Sequence, residues 1–245
     1  MIPRLFCAGA LGPGTAFALP DGPAHHVRDV LRLAPGDEVT LLNGLGGEYR
    51  ARLARVEKKS VQVEVLEFHL RESEPPHPVT VAQALASGDK MDWIVEKAVE
   101  LGACAVQPVA AARSVLRLNA ERADKRLAHW RAIAQAACEQ CGRNRIPDIG
   151  PVLGLDAWLA TMLNAPGLKL MLSPVHAQRF SDLPTPPVGT PITLLIGPEA
   201  GLSDLEEAAA QAAGFLPVLL GPRVMRTETA ALAALAAIHA RWGDF

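Results

Sequence analysis

The sequence predicts an α/β protein: a small β-rich domain first, then a larger domain built on a mostly parallel sheet. Three observations lead there. Residues 36–68 hold short runs of period-two hydrophobic alternation between turn signals, the pattern of an antiparallel sheet with one wet face. From residue 79 onward, short unbroken apolar runs alternate with longer amphipathic segments, the order expected of strands and helices in a sheet covered on both faces. Between them Arg71-Glu72-Ser73-Glu74-Pro75-Pro76-His77-Pro78 is polar and proline-rich and marks a boundary. Residues 1–72 are therefore read as one domain, 73–78 as a linker and 79–245 as the second domain.

In the first domain Gly36-Asp37 is a turn signal, and Glu38–Leu42 and Tyr49–Val56 flank Asn43-Gly44-Leu45-Gly46-Gly47 as a hairpin. Ser60–Phe68 alternates as a further strand. Only His25–Leu33 looks helical, with Arg28 and Arg32 one turn apart on one face and Arg4 as a third basic group to join them. Phosphate contacts and an ordinary solvated helix face explain these arginines equally well. His25 and His26 are adjacent, which is not metal-ligand spacing on a helix, and are read as structural or capping.

In the second domain Val79–Leu85 is a strand, Asp89–Leu101 an amphipathic helix carrying Trp93, Ile94, Ala98 and Leu101, and Ala103–Val109 a strand, which makes a β-α-β unit. Asn119–Cys141 is a long helix and Leu168–Leu172 another strand. The chain then holds one arrangement twice. Ile192–Ile196 breaks at Gly197-Pro198-Glu199-Ala200-Gly201 and enters a helix whose Ser203 and Glu206 have capping-box spacing. Leu216–Leu220 breaks at Gly221-Pro222-Arg223 and enters an alanine-rich helix from Ala230, with Thr227, Glu228 and Thr229 as candidate caps. If the two strands are parallel neighbours, both Gly-Pro loops lie side by side at the carboxyl ends of the sheet, where open α/β folds bind ligands. Either loop alone would be read as a plain strand end. Glu199, Arg223, Arg226 and Glu228 together place charge at the mouths of two apolar strands, where a turn has no need of it.

At 245 residues and 49% hydrophobic content the chain can bury a real core, and no apolar run reaches the length of a membrane span. The expectation is a cytoplasmic protein. Cys7, Cys104, Cys138 and Cys141 are too few and too scattered for a disulfide framework, and the C-x-x-C of Cys138 and Cys141 lies in a helical pattern without a second ligand pair, so no metal is expected. The net charge of −2 argues against indiscriminate nucleic-acid binding, yet residues 113–145 carry eight basic groups against three acidic ones, a local +5 that leaves −7 for the remainder. A solvated helix face and a phosphate-contacting face both account for that segment. Neither a P-loop nor a G-x-G-x-x-G follows any strand, which disfavours a triphosphate and leaves room for an adenosine without phosphates, held by apolar walls and backbone groups.

Leu195-Ile196-Gly197-Pro198-Glu199-x-Gly201-Leu202-Ser203, followed by Leu220-Gly221-Pro222-Arg223-Val224-Met225-Arg226-Thr227-Glu228-Thr229-Ala230, resembles the C-terminal signature of the bacterial 16S ribosomal RNA uridine-N3 methyltransferases, of the knotted SPOUT class. Lys90-Met91-Asp92-Trp93-Ile94-x-Glu96-Lys97-Ala98-x-Glu100-Leu101-Gly102 and Gln140-x-Gly142-Arg143-Asn144 resemble the family's catalytic domain. His26-x-x-x-Val30-Leu31-Arg32 and Gly46-Gly47-Glu48-Tyr49 resemble its N-terminal, PUA-like RNA-binding β-barrel. The resemblance implies S-adenosylmethionine bound in a deep trefoil knot formed by the last strands and helix, a homodimer, and 16S rRNA of the small ribosomal subunit as substrate. It implies a cofactor pocket of Leu195, Ile196, Gly197, Pro198, Glu199, Ala200, Gly201, Leu220, Gly221, Val224, Met225, Arg226 and Thr229. Ala200 stands where the family usually has glycine; a positive φ there would cost about 1 kcal/mol. Arg226 with Arg223 is expected to stabilise charge on the uracil, and Glu199 or Glu228 to orient the arginines or accept the proton. Arg4, Arg28, Arg32, Arg113, Arg143 and Arg145 are the expected RNA contacts. Two other readings stay open: an RNA-binding assembly factor without turnover, and an enzyme of small molecules using the same pocket.

Overall fold

The computed structural model describes residues 2–175 and 177–245. The chain divides into two units: residues up to 74 together with 138–146, and residues 75–137 together with 147–245.

The first unit contains β1 (Arg4–Phe6), β2 (Ala16–Ala18), α1 (Asp21–His25), β3 (Glu38–Leu42), β4 (Glu48–Val56) and β5 (Val61–His69). The strands pair in the order β1-β3-β4-β5-β2. Alternation does its usual work: Val61, Val63 and Val65 of β5 are fully buried against Val39, Leu41, Ala51 and Leu53, while the residues between them face outward. The expected helix over His25–Leu33 is cut short. After α1 the backbone widens into a π-helical turn over His26–Val30, and Leu33 N–H closes back on Val27 O at 3.0 Å. That closure resembles a Schellman cap widened by one residue, and it requires a left-handed residue, which is Arg32 at φ 55°. Arg32 therefore does not share a helical face with Arg28. Segment 138–146 is tied to this unit by hydrogen bonds: Phe6 N–H to Glu139 Oε1 (2.7 Å), Arg4 Nη2 to Asn144 Oδ1 (2.5 Å), and Asn144 Nδ2 to Arg71 O (2.6 Å).

The second unit contains β6 (Val79–Ala84), α2 (Lys90–Glu100), β7 (Ala103–Ala110), α3 (Ala120–Cys141, its last turn lying in the first unit), β8 (Asp148–Ile149), β9 (Leu153–Gly154) and α4 (Leu155–Met162). It continues with β10 (Leu168–Leu172), β11 (Gln178–Arg179), β12 (Ile192–Ile196), α5 (Asp204–Ala212), β13 (Leu216–Leu219) and α6 (Thr227–Trp242). The sheet order is β11-β13-β10-β12-β6-β7-β8, with β9 beside β7, and every pairing is parallel. Unbroken apolar strands follow from cover on both faces: Val79, Val81, Ala82, Leu170, Met171, Leu194 and Leu195 are at most 1% exposed. On α2 the buried stripe is Met91, Ile94, Val95, Ala98 and Val99, so Trp93 falls outside it and is 44% exposed.

One expectation changes here. β12 and β13 are not neighbours, because β10 lies between them and pairs with both. The chain leaves β12, passes through α5 and over β10 to reach β13, then turns back so that α6 packs on α2, β12 and β6. This out-and-back course is where the resemblance places the knot. The candidate caps of α6 also act otherwise. Arg226 occupies the N-cap position without a side-chain bond, and Thr227 Oγ1 instead donates to Gly197 O at 2.6 Å. Among the described residues no helix is long and apolar enough to cross a membrane.

Candidate active site

The carboxyl ends of β10, β12 and β13 open into one cleft of about 480 Å³, within the range of small-ligand sites. Both Gly-Pro loops line it, with the end of β10 between them. Of the residues expected at a cofactor, Ile196, Gly197, Pro198, Glu199, Ala200, Gly201, Leu220, Gly221, Val224 and Met225 line the cleft, as does Arg223. Leu195 is wholly buried beneath it; Arg226 and Thr229 are exposed and flank residues that line it. Leu172, Ser173 and Pro174 were not legible as part of the site, although an apolar run broken at Ser-Pro is a weaker form of the same signal. Leu202, Glu207, Val218, Leu219, Pro222, Thr227 and Ala230 complete the lining.

The loop after β12 is shaped by two glycines for different reasons. A Cβ on Gly197 would lie 3.1 Å from Leu202 N, so a side chain there would press on the backbone fold-over. At Gly201 a Cβ would meet nothing, but φ is +70°. Ala200 is not among the positive-φ residues, so the alanine sits in the loop without left-handed strain. Ser203 and Glu206 form the expected capping box on α5, the Ser203 amide donating to Glu206 Oε2 at 2.8 Å. The other carboxylate oxygen of Glu206 accepts from Ala112 N–H at 2.6 Å. Burial raises the Glu206 pKa, but bonds from the Ser203 and Ala112 amides outweigh it and the net shift is downward.

Glu199 does not reach the arginines expected as its partners. Its Oε1 accepts from Ser87 N–H (2.9 Å), Ser87 Oγ (2.7 Å) and Lys90 Nζ (3.0 Å). Burial pushes this carboxyl up, yet the Ser87 and Lys90 bonds prevail and hold it at about 2. Lys90 Nζ also lies 3.6 Å from Glu228 Oε2, which is buried without a hydrogen-bond partner. A second tie crosses the floor of the site: Gln83 Nε2 donates to Thr227 Oγ1 at 2.8 Å, and Thr227 donates onward to Gly197 O.

The six arginines expected at RNA are placed very differently. Arg4 pairs with Glu48 at 2.6 Å and is 9% exposed; Arg143 is 4% exposed and pairs with Glu74. Both serve the interior of the first unit. Arg113 donates to Leu202 O at 3.0 Å and holds the cleft loop. Arg28 pairs with Asp29 at 2.6 Å, Arg145 with Glu72 at 3.3 Å, and Arg32 is exposed. Cys138 is buried, its thiol donates to Arg145 O at 3.5 Å, and burial pushes its pKa up to about 12, so it behaves as a small core hydrophobe.

A parallel sheet with a cleft at its C-terminal strand ends is where open α/β folds bind ligands, and comparison with known proteins supplies the class. A family model described as an RNA methyltransferase domain matches residues 73–239, and one described as an RNA methyltransferase PUA domain matches residues 19–66. Ribosomal RNA small subunit methyltransferase E of Bacillus subtilis (strain 168) is 34% identical over 227 residues, covering 91% of this chain and 89% of its own. The protein of that name from Mycobacterium bovis is 34% identical over 251 residues, covering 99% and 94%. The crystal structure of the Neisseria gonorrhoeae protein of that name, bound to S-adenosyl methionine, aligns over 100% of both chains with a TM-score of 0.92 and 39% identity. The chain belongs to the ribosomal RNA small subunit methyltransferase E family.

Proposed function

We propose that this protein transfers a methyl group from S-adenosylmethionine to N3 of a uridine in 16S rRNA of the small ribosomal subunit, acting as a homodimer in the cytoplasm. The observation that carries the reading is the cleft itself. Its walls are apolar side chains such as Leu172, Ile196 and Val218 with the backbone of two tight loops, and Glu207, bonded to Ser173 Oγ at 3.2 Å, is an acid at its lining. That donor set suits an adenosine joined to a positively charged, phosphate-free tail. When bound, the cofactor supplies an electrophilic methyl group. The protein's part is to hold the base in line with it, and positioning of that kind supplies several kcal/mol of a barrier. The reacting nitrogen is buried in a base pair, so the target uridine is taken from single-stranded or splayed RNA.

As N3 gives up its proton, negative charge spreads to the flanking carbonyl oxygens, and Arg226 and Arg223 are assigned to meet it. Glu199, held at about 2 by Ser87 and Lys90, is a poor proton acceptor at neutral pH and serves to fix the loop. Glu228 is the acid of the pair left open to that role. The homodimer is carried over from the family resemblance, and Val224, 82% exposed at the cleft, is the apolar group a second subunit would cover.

The test is transfer of labelled methyl from S-adenosylmethionine to small subunits lacking modifications, followed by nucleoside analysis. N3-methyluridine is expected. Label on another base would overturn the substrate assignment, and cofactor binding without transfer would favour an assembly factor. Arg226→Ala is expected to lower kcat by about 100-fold, the scale for losing one donor to a developing oxyanion, with cofactor affinity retained. An unchanged rate would remove Arg226 from the chemistry.

A further inference from the structure

The eight cations of the basic segment 113–145 separate into two groups. Arg113, Arg131 and Arg143 bond the Leu202 carbonyl, the Ile149 carbonyl at 3.1 Å and Glu74, and Arg145, 56% exposed, pairs with Glu72 in the first unit. The other four, Arg117, Arg122, Lys125 and Arg126, line a single open groove of about 420 Å³ together with His129. Arg122, Lys125, Arg126 and His129 recur at helical spacing on one face of α3, and Arg117 reaches in from the segment before it. Leu116 and Leu118 give the groove an apolar side.

Part of this grouping works against the helix that carries it. Arg122 and Arg126 are like charges one turn apart, an arrangement that weakens a helix. Among the described residues neither Arg117 nor Arg122 forms an ion pair. The pairs that do exist are Lys125 to Glu121 at 2.7 Å, with both side chains about three-quarters exposed, and Asp92 to Arg126 at 3.7 Å and to His129 at 2.9 Å. The Lys125–Glu121 pair exchanges readily for a stronger anion, whereas Asp92, 23% exposed, also accepts from Trp130 Nε1 at 2.9 Å and stays with the fold.

We propose that this groove binds the sugar-phosphate backbone of the RNA substrate and sets its register on the cleft. The inference rests on the RNA methyltransferase reading above. Register follows from the segment after β7. Arg117 Nη2 donates to Ala112 O at 2.7 Å; the Ala112 amide donates to Glu206, which caps α5; and Arg113 donates to the loop carbonyl of Leu202. Three residues thus hold groove and cofactor loop on one short stretch of chain. Cations in the groove take phosphates, Leu116 and Leu118 lie against ribose, and sequence choice is left to the base at the cleft.

The experiment compares the full-length protein with Arg122→Gln/Lys125→Gln. Anisotropy of a labelled single-stranded 16S rRNA fragment is followed between about 50 and 200 mM salt, with subunit binding, methyl transfer and S-adenosylmethionine affinity measured alongside. The variant is expected to bind the fragment at least tenfold more weakly at the higher salt. Its plot of log affinity against log salt should be shallower by about 1.4, the loss of two single-strand phosphate contacts, with cofactor affinity unchanged. Equal affinity and equal slope for variant and wild type would overturn the groove. So would a variant that keeps fragment affinity and loses only subunit binding, since that would mark a protein contact. Wild-type protein that transfers no methyl group would sink the activity reading instead, and the fragment comparison would still decide the groove.

Discussion

Glu199 shows how far one side chain's role depends on what the fold brings to it. In the sequence its neighbours in kind are Arg223 and Arg226; in the structure its carboxylate is held by Ser87 and Lys90, residues more than a hundred positions earlier. Because its pKa is depressed from 4.5 to about 2, the fold favours the ionised form. That stabilisation is complete above about 4.5 and is lost as pH falls through about 2. Glu199→Gln should therefore melt below wild type at pH 7, and the gap should close as the pH of the melt is lowered from 4.5 toward 2. A gap that stayed constant with pH would contradict the assigned charge. The alanine at position 200 makes a complementary point: the left-handed turn falls on Gly201, one residue later, so the departure from the family's usual glycine carries no backbone penalty.

Strands and helices supply the frame, and single hydrogen bonds join them at the site. Thr227 begins α6, accepts from Gln83 at the end of β6 and donates to Gly197 just past β12, so one buried hydroxyl fastens three elements beneath the cleft. Thr227→Val keeps the volume, removes the donor to the part-buried Gly197 carbonyl and leaves the buried Gln83 amide with one bond fewer. A loss of about 2 kcal/mol in denaturant unfolding is expected, together with weaker cofactor binding, while Thr227→Ser should recover most of both. Equal stability of the valine variant and wild type would show that the tie is dispensable. Most elements of this unit were legible in order and type, because their apolar periods are long and clean. β8, β9 and β11, at two residues each, carry no period to read, and the two-turn helix α4 was not read from the sequence either. The separation of β12 from β13 by β10 is a matter of sheet order, which local pattern does not encode.

At the scale of the whole molecule, division into units does not follow the order of the chain. A single boundary at the proline-rich stretch 73–78 was legible, but residues 138–146 return to the first unit and are held there by Arg4, Phe6, Arg71 and Glu74. A chain cut to begin at residue 75 would strand those partners. We expect 75–245 to melt well below the full-length protein by circular dichroism, and Arg143→Ala in the full chain to cost about 3 kcal/mol by leaving Glu74 without its buried guanidinium. A fragment melting cooperatively at the full-length temperature would show the segment to be autonomous.

The sequence by itself determined the class of fold, the alternation of strands and helices, the two Gly-Pro loops and the capping box of α5. These rest on local rules: period, turn chemistry and capping distance act over a few residues. Tertiary structure decided which strand lies between the two loops, that Glu199 answers to Ser87 and Lys90, and that Arg4, Arg113 and Arg143 are tied up inside their own units. It also decided that four cations of one basic segment share a groove. Those outcomes depend on charges and hydrogen-bonding groups that meet only after the chain has folded, and separation along the sequence carries almost no record of such meetings.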